Sequence, residues 1–521
     1  MRILRCIPVL TKACLVIFLV TFIYLRLWSI PKRVSTVAIA NSKHDHGSEP
    51  HGFDTLMQDE VNCQADHKHL LNIKKKYELN TFTYAKRLVR FNRKNVQRKG
   101  MTILPQRLFT AGFQFIDANS QVESSIPGCS PPIQAPVSSS AFPQGADASE
   151  FMFGVSTTYE RFTEWSTAFL DDWTYWLTDG AGKSNGGKMV LAILNADEGQ
   201  LTDARSLLTK TGVDVDVIAA NASLPMATRY LSLIPTMHTH PDAGKKKWLV
   251  LCDDDTFFPS MNALKERLEE YDHKRELYIG ALSEDAVAVQ RHGSQAFGGA
   301  GVFLSPSIAS RVASAFQNCT SEAELVKADW QGDRLLHQCI QEHSDISLTI
   351  LPGLWQLDVS GDPAGFYEWG TKPLSLHHYR SWYYATPNLY SKIAYVCGED
   401  CTLQRFQTAD DYIITGYSIA HYPVGISFNT EAIEATFRVS DESGWNFACK
   451  FGALRKSLTG TGRKISWELK ESIIQKDGCL LQTYIRKGND TRWVNTDIGA
   501  AASHDSVIEL VWGPGGTRPI N

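Results

Sequence analysis

The hydrophobic pattern of residues 150–280 alternates between two periods. Short, almost wholly apolar runs bounded by polar or turn residues are typical of buried strands, and segments with apolar residues three or four positions apart predict helices. The runs cover 151–156, 189–194, 213–219 and 248–252, and the helical segments cover 161–177, 198–210, 226–237 and 260–270. Strands that alternate with helices predict a largely parallel sheet covered by helices on both faces.

Beyond residue 390 the pattern changes to short apolar runs between turns. These runs lie at 411–421, 432–439, 465–469 and 480–485. They predict strands without intervening helices, so we expect a small β-rich domain over 386–521 behind an α/β domain over 150–385. Nothing in the β-rich part resembles a catalytic constellation.

The first 33 residues have the pattern of a membrane anchor. An apolar stretch over 13–25 has basic residues on both sides. A span needs about 20 mainly apolar residues, and this unbroken run is shorter. We predict a short signal-anchor helix over 13–30 after a cytoplasmic tail of residues 1–12. The alternative is a cleaved signal peptide, because residues 38–40 read Ala-Ile-Ala, a small-x-small cleavage pattern. Both interpretations place the remaining chain in the secretory lumen.

Residues 31–149 are predicted to be a lumenal stem or linker. They include a basic stretch over 74–99, more typical of a solvated face than of a nucleic-acid or lipid contact, and a segment rich in Pro and Ser over 126–148. The whole chain has 43% hydrophobic and 21% charged residues, which excludes a mostly disordered chain, a collagen or a coiled coil. Its net charge of −4 gives no general attraction to nucleic acid.

Cysteine usage fits an oxidising compartment. Of the 11 cysteines, nine follow the membrane segment. Cys252 lies inside an apolar run, which predicts a buried free thiol. The other eight could form four disulfides whose connectivity spacing does not determine. These eight are Cys63, Cys129, Cys319, Cys339, Cys397, Cys401, Cys449 and Cys479. Candidate N-glycosylation triplets begin at Asn221, Asn318 and Asn489.

The strand predicted at 248–252 runs directly into Asp253, Asp254 and Asp255. Neighbouring carboxylates repel each other unless a cation lies between them. Carboxylate oxygens favour Mg²⁺ or Mn²⁺, and such sites commonly add water and substrate phosphate. Ligands of open α/β sheets bind beyond the carboxyl ends of the strands, so the triplet predicts a metal-bound diphosphate. The alternative is an acidic turn before the helix near Ser260.

Two further motifs follow the triplet. A tight Gly-Gly-Ala-Gly segment places Gly298, Gly299 and Gly301 before an apolar run, and glycine lets a backbone approach a substrate closely. Asp329 and Asp333 then open an amphipathic helix. An aspartate in a first helical turn is more often a cap than a catalytic group.

A segment Leu-Ser-Leu ends in His377 and His378, an imidazole pair that could reach the metal. Alone, such a pair is more often structural. The order of motifs, however (DDD after a buried strand, GGAG, an Asp-opened helix, then HH), resembles glycosyltransferase family 31, which includes the Fringe-type and core-1-type β-1,3-glycosyltransferases. The ending formed by Gly361-Asp-Pro363 and Leu374-Ser-Leu-His-His378 is most similar to the Fringe-like branch of fungi and plants. The resemblance covers roughly 150–385 and leaves the β-rich part outside.

The resemblance implies a Rossmann-like, nucleotide-sugar-binding fold of the GT-A type, with a mixed sheet and helices on both faces. It also implies a Golgi type II membrane enzyme that uses Mn²⁺, or Mg²⁺, and a UDP-sugar donor. Such enzymes invert the anomeric centre, and the acceptor would be a glycan or glycoprotein hydroxyl, with a β-1,3 linkage as the family's expectation. No nucleic-acid partner is expected.

Carried over to this chain, the family's metal ligand is Asp255, joined by His377 or His378 with a slight preference for His378. Asp253 is expected to touch the ribose or a metal-bound water, and Asp254 belongs to the same cofactor-binding set.

Thr157 and Arg161 are expected to line the nucleotide pocket. The glycine segment is expected to lie against the donor sugar or the acceptor.

An inverting displacement needs one general base on the acceptor hydroxyl. By resemblance the candidate is Asp333, which lies six residues before Cys339 as the equivalent aspartate does in the plant-like branch, with Asp329 second. Trp330 and Gln331 stand where Fringe proteins carry a more acidic pair, which leaves the choice between the two aspartates open. Trp330 is a candidate for stacking on an acceptor sugar or for the core. Cys319 and Cys339 flank this region and could be disulfide-linked.

Two rival functions have features in this chain. A lumenal carbohydrate-binding protein would keep the fold without turnover, although it need not keep the complete set of acidic and histidine motifs. A metal-dependent phosphohydrolase would use the same acidic triplet but usually needs two metals about 3.5–4 Å apart and more ligands.

Overall fold

The computed structural model describes residues 65–116, 130–439, 446–494 and 504–515. The predicted tail, anchor helix and cleavage pattern lie outside these residues, as do Cys63 and Cys129. Within the described part of the chain, no helix is both long and apolar enough to cross a membrane.

The described chain contains these elements. The α-helices are α1 (His67–Lys76), α2 (Tyr159–Glu164), α3 (Ser166–Leu177), α4 (Glu198–Lys210), α5 (Met226–His238), α6 (Met261–Leu268), α7 (Ala286–His292), α8 (Pro306–Cys319), α9 (Glu322–Lys327), α10 (Gly332–His343), α11 (Ala364–Tyr367), α12 (Pro387–Ser391), α13 (Ala394–Cys397) and α14 (Ala448–Phe451). The strands are β1 (Phe82–Lys94), β2 (Met101–Ile103), β3 (Gln114–Ile116), β4 (Ile133–Ser138), β5 (Phe151–Thr158), β6 (Lys188–Leu194), β7 (Asp214–Ala219), β8 (Trp248–Leu251), β9 (Tyr278–Gly280), β10 (Val302–Leu304), β11 (Thr349–Ile350), β12 (Arg405–Gln407), β13 (Tyr412–Ile414), β14 (Ser418–His421), β15 (Ile465–Ile474), β16 (Leu480–Arg486) and β17 (Asp505–Pro514).

A seven-stranded mixed sheet forms the α/β half, in the order β11-β9-β10-β8-β5-β6-β7. Strands β8, β5, β6 and β7 run parallel to one another. Strand β10 runs antiparallel to both β8 and β9. The predicted α/β class and mixed sheet are confirmed, because the alternation of apolar runs and amphipathic segments is a local signal that each element carries by itself.

Helices pack on both faces of this sheet. Apolar side chains of α5, α8 and α10 form one buried cluster with residues of β8 and β10. Aromatic side chains of α3, among them Trp173 and Trp176, pack in a second cluster against Phe153 and Phe258. The predicted single helix over 161–177 is in fact α2 and α3, because Trp165 leaves the helical conformation at φ −107° and ψ 15°.

A ten-stranded sheet forms the second half, in the order β2-β12-β13-β14-β15-β16-β17-β1-β3, with β4 also paired to β1. The β-rich C-terminal region is therefore present. The predicted strand at 411–421 is a hairpin of β13 and β14. The run at 432–439 forms only two isolated bridges, through Glu434 and Phe437.

The predicted stem over 31–149 differs from the structure in its described part. Strand β1 pairs in parallel with β17 from Phe82 to Phe91, and also with β3 and β4. Its apolar residues and two of its arginines, Arg87 and Arg90, are buried. Part of the basic stretch therefore forms a strand of a sheet. The many charged residues concealed the strand pattern in the sequence, and the partner strand lies more than 400 residues away in the chain.

One cluster of buried apolar residues runs through both sheets. It includes Phe153 and Trp176 of the α/β half together with Trp467, Tyr484 and Trp512 of the β-rich half. The two halves therefore share a core in this structure.

Two disulfides lie in the described residues. Cys319–Cys339 confirms the predicted pair, and Cys397–Cys401 adds a second. Cys252 is a buried free thiol, as predicted. Cys449 and Cys479 are also free, so the expectation that both form disulfides is wrong.

Candidate metal and nucleotide-sugar site

The acidic triplet leaves the carboxyl end of a fully buried strand. All four residues of β8 are buried, and the chain turns at Asp253, where its N–H donates to Thr256 Oγ1 at 2.9 Å. Thr256 in turn donates to the carbonyl of Gly299 at 2.9 Å. This turn separates the three carboxylates into different environments.

Asp254 points back into the protein. Arg161 donates to its two oxygens at 2.6 and 2.7 Å, and Thr157 donates at 2.5 Å. Burial raises the pKa of Asp254, and the Arg161 guanidinium offsets that rise in part. In this geometry Asp254 anchors Arg161 and Thr157 beneath the site, which differs from its predicted contact with the cofactor. Arg161 keeps a half-exposed side chain beside the site, with Nη2 3.8 Å from Asp255 Oδ2.

Asp253 and Asp255 converge on His377. The imidazole Nε2 lies 3.2 Å from Asp253 Oδ2 and 3.1 Å from Asp255 Oδ1. An antiparallel bridge creates this meeting, because Phe257 and Leu376 exchange backbone hydrogen bonds of 2.9 and 2.8 Å. The histidine pair is thereby brought next to the triplet, although His377 lies 122 residues after Asp255 in the chain.

Electrostatics around this contact favour positive charge. Burial disfavours protonated His377, but Asp255 and Asp253 outweigh it and raise the pKa of His377 well above its usual value. Burial would raise the pKa of Asp255, yet His377, His378 and Arg161 together lower it. Asp255 therefore stays ionised beside a protonated His377.

His378 faces a different partner. Its Nε2 lies 2.9 Å from Asp358 Oδ1, and its Nδ1 lies 2.9 Å from Ser381 Oγ. Burial and the neighbouring His377 lower the pKa of His378. The distances favour His377 over His378 as the histidine that meets the aspartates, the reverse of the slight preference drawn from the resemblance.

The glycine segment is a tight 3₁₀ turn, Gly298–Ala300, held against these side chains. A Cβ on Gly299 would lie 2.1 Å from the His377 ring. A Cβ on Gly298 would lie 2.7 Å from Asp333 Oδ1 and 2.6 Å from the Tyr230 hydroxyl. Gly301 has a φ of 92°, a left-handed conformation that favours glycine. Glycine is therefore required by close side chains and by backbone conformation.

The structure separates the two candidate bases. Asp333 lies in the first turn of α10 and accepts the Gly298 N–H at 3.1 Å. Burial and the nearby charge of Asp253 raise the pKa of Asp333 to about 7. Asp329 is exposed and lies outside α10, in a turn where it and Trp330 have left-handed φ values of 52° and 58°. Trp330 is exposed rather than in the core.

The residues fit a divalent cation. Ligand atoms of Asp255, His377 and His378 lie within 4.8 Å of one another. Oδ2 of Asp255 is buried and accepts no hydrogen bond from any described residue. The Nδ1 of His377 lies 3.2 Å from the Gln356 carbonyl, which holds Nε2 toward the aspartates. One imidazole and carboxylate oxygens are suitable ligands for Mn²⁺ or Mg²⁺.

Several residues of this site carried no motif. Gln356 and Asp358 orient the two histidines. Glu284 accepts hydrogen bonds from the backbone N–H groups of Gln356 and Asp358. Tyr230 packs beside Asp333 and Gly298. Sequence patterns could not identify them, because each acts through a contact that only folding creates.

Comparisons with known proteins match parts of the chain. The family described as "Protein of unknown function, DUF604" matches residues 289–394, which include most of the motifs above. No curated protein matches the chain. None of these comparisons singles out the Fringe-like branch.

Solved glycosyltransferase structures match part of the chain at low identity and with low TM-scores. The glycosyltransferase GlyE of Streptococcus pneumoniae TIGR4 is 12% identical over 48% of this chain and 56% of its own, with a TM-score of 0.29. Mouse xyloside xylosyltransferase 1 is 13% identical over 39% of this chain and 84% of its own, with a TM-score of 0.27. Mannosyltransferase PcManGT of Pyrobaculum calidifontis, solved with GDP-Man and Mn²⁺, is 8% identical over 44% of this chain and 63% of its own, with a TM-score of 0.25.

Proposed function

We propose that this chain is a metal-dependent inverting glycosyltransferase that transfers a sugar from a UDP-sugar to a glycan or glycoprotein hydroxyl. The observation that carries the proposal is the convergence of Asp253, Asp255 and His377 at the carboxyl end of β8, with a buried Asp255 oxygen left without a hydrogen bond among the described residues. A GT-A type of site, Mn²⁺ or Mg²⁺, a β-1,3 linkage and membership of the Fringe-like branch of family 31 belong to the same proposal.

The chain's own residues divide the work. Asp255 and His377 would hold the cation, and Asp253 would contact it or the ribose. Arg161, half-exposed beside Asp255, adds positive charge where a diphosphate would lie. A bound divalent cation would supply charge neutralisation for the departing nucleotide.

Asp333 is suited to receive the acceptor's proton. Its carboxylate faces the same glycine turn that packs on His377, so base and metal ligands lie on the two sides of one backbone segment. A general base works best when its pKa lies near the operating pH, and the pKa of about 7 meets that condition. Inversion needs one such base, and Asp333 is the carboxylate that accepts a hydrogen bond from this turn.

The proposal is tested by UDP release from UDP-galactose, UDP-N-acetylglucosamine and UDP-glucose, with Mn²⁺ and simple glycosides as acceptors. We expect release with at least one donor, and its loss with a chelator or in Asp255→Asn. Asp329→Asn, which changes an exposed carboxylate, is the matched control and should retain turnover. A folded wild-type chain that binds glycans but releases no UDP from any donor would instead indicate a carbohydrate-binding protein.

The location belongs to the proposal as well. We propose a Golgi membrane protein of single-pass type II topology, anchored through residues 13–30, on the basis of the N-terminal sequence pattern. A full-length chain tagged at its C-terminus should fractionate with Golgi membranes. The tag should become sensitive to protease only after detergent opens the membrane, and a secreted tag would indicate cleavage instead.

A further inference from the structure

A C-terminal segment docks directly on the α/β half beside the metal site. The backbone of Asn446 exchanges hydrogen bonds with this half: its carbonyl accepts from Ala286 and its N–H donates to Asp285, both at 2.8 Å. Lys450, on the short helix α14, donates to Glu284 Oε1 at 2.8 Å and to the carbonyl of Leu282 at 2.9 Å. The β-rich half thus places one lysine next to a carboxylate of the other half.

Glu284 is completely buried, with a side-chain exposure of 0% against 24% for Lys450. Its Oε1 also accepts the N–H of Gln356 at 3.0 Å, and its Oε2 accepts the N–H of Asp358 at 3.2 Å. A buried carboxylate is costly unless a cation and hydrogen-bond donors satisfy it. Among the described ion pairs, Lys450 is the one cation that Glu284 contacts.

The two residues that Glu284 holds are the ones that orient the histidines. The carbonyl of Gln356 lies 3.2 Å from His377 Nδ1, and Asp358 Oδ1 lies 2.9 Å from His378 Nε2. Leu357, between them, has a left-handed φ of 57°, a conformation that is unfavourable for a non-glycine residue. The two hydrogen bonds to Glu284 span this leucine and hold the strained turn in place.

We infer that Lys450 and Glu284 are positioning residues for the metal site, so that the β-rich half completes the site through one ion pair. The inference deepens the proposed function and rests on it for the identity of the cation. The connection runs from Lys450 to Glu284, from there to the turn at 356–358, and from this turn to both imidazoles. Partners that orient metal-binding histidines typically affect metal affinity 10–100-fold.

Mn²⁺ binding to the full chain, followed by electron paramagnetic resonance of free Mn²⁺, is the first measurement. We expect Lys450→Met and Glu284→Gln each to weaken Mn²⁺ binding by about 10–100-fold. Lys450→Arg should recover much of the affinity, because a guanidinium can still donate to Glu284. Lys188→Met is the matched control, since Lys188 pairs with Asp214 and Asp216 at the opposite end of the sheet and should leave Mn²⁺ binding unchanged.

A second readout does not depend on metal. Labelling by diethyl pyrocarbonate, read by mass spectrometry, reports the exposure of His377 and His378 in the metal-free chain. Lys450→Met should speed labelling of both while leaving His337 unchanged. If wild-type chain binds no Mn²⁺ but this labelling still rises, the metal assignment fails and the positioning role stands. If folded Lys450→Met and Glu284→Gln match wild type in both readouts, the inference is overturned.

Discussion

Asp254, Asp255 and Asp333 carry the same chemical group in three environments. Asp254 is bound by Arg161 and Thr157, and Asp255 faces an imidazole. Asp333 receives one backbone N–H and lies near another negative charge, so burial and repulsion raise its pKa. The environment thus distinguishes carboxylates that the sequence shows as equals, and our proposal gives Asp254 a structural role, Asp255 a ligand role and Asp333 the role of base.

Asp333→Asn should reduce transfer by about 10²–10⁴-fold, the usual contribution of a general base. The asparagine keeps the shape of the side chain but cannot accept the proton, so UDP and Mn²⁺ binding should remain. Single-turnover transfer and UDP binding by calorimetry measure the two effects. Asp329→Asn is the control, and a loss of transfer in that variant instead would reassign the base.

The carboxyl group of Asp333 also predicts that the stability of the protein depends on pH. Its pKa is about 7 in the folded chain against 3.8 ordinarily, so the folded protein retains a proton that the unfolded chain has released between these values. Stability therefore falls as pH rises through this window. Asp333→Asn cannot ionise, so its Tm should exceed that of the metal-free wild type by more at pH 8 than at pH 5. An equal difference at both values would show that the group does not titrate there.

Gly299→Ala should weaken Mn²⁺ binding by at least about 10-fold. The added Cβ would lie 2.1 Å from the His377 ring, so the imidazole must move away from Asp253 and Asp255. Mn²⁺ titration measures the effect. Gly244→Ala is the control, because a Cβ there has no heavy atom within 4 Å. Wild-type affinity in Gly299→Ala would mean that the ring does not need its present position.

At the scale of elements, helix α10 carries Asp333 and is held in place by core packing, a disulfide and a hydrogen bond. Leu335, Leu336 and Ile340 pack in the core, and Cys339 is joined by a disulfide to Cys319 at the end of α8. The glycine turn contacts the helix through the Gly298 N–H, which donates to Asp333. Packing sets the position of the helix, and the covalent link restricts its unfolding.

Cys339→Ser should lower the free energy of unfolding by about 3 kcal/mol. The bridge closes a loop with a sequence separation of 20, and cross-links of that size restrict the unfolded chain by roughly this amount. Urea denaturation without reductant measures the change. Cys449→Ser, an exposed free cysteine, is the control and should leave the midpoint unchanged. Equal midpoints for both variants would show that the bridge does not contribute.

At the scale of the whole molecule, the N-terminal and C-terminal regions are parts of one sheet. Strand β1 lies between β17 on one side and β3 and β4 on the other. The resulting sheet packs in the core that also holds the α/β half. Residues 82–94, which lie in the predicted stem, therefore share a core with the α/β half.

A chain that begins at residue 150 should fail to fold, whereas one that begins at residue 65 should fold. The shorter chain loses β1, which leaves β17 without its parallel partner from Asp505 to Pro514 and exposes apolar surface. Soluble yield, gel filtration and thermal melting distinguish the two. A monomeric, cooperatively melting chain beginning at residue 150 would show that the α/β half folds without this strand.

The amino-acid sequence by itself determined the order of strands and helices between residues 151 and 270, except that the helix predicted at 161–177 is divided into α2 and α3. Each of these elements is signalled by residues within a few positions of one another, so the helix predicted at 198–210 and the strand at 248–252 agree with α4 and β8 to within a residue. The acidic triplet, the glycine segment and the histidine pair could also be found in the sequence, because each is a run of neighbouring residues recognised by their types.

Tertiary structure decided what those residues contact. It selected His377 to face the aspartates, buried Asp254 against Arg161, exposed Asp329, and recruited Glu284 and Lys450, which carry no motif. It also placed residues 82–94 of the predicted stem in a strand of a ten-stranded sheet. The physical reason is the same in each case: pairing between distant segments depends on shape, burial and charge in three dimensions, and these leave no periodic trace along the chain.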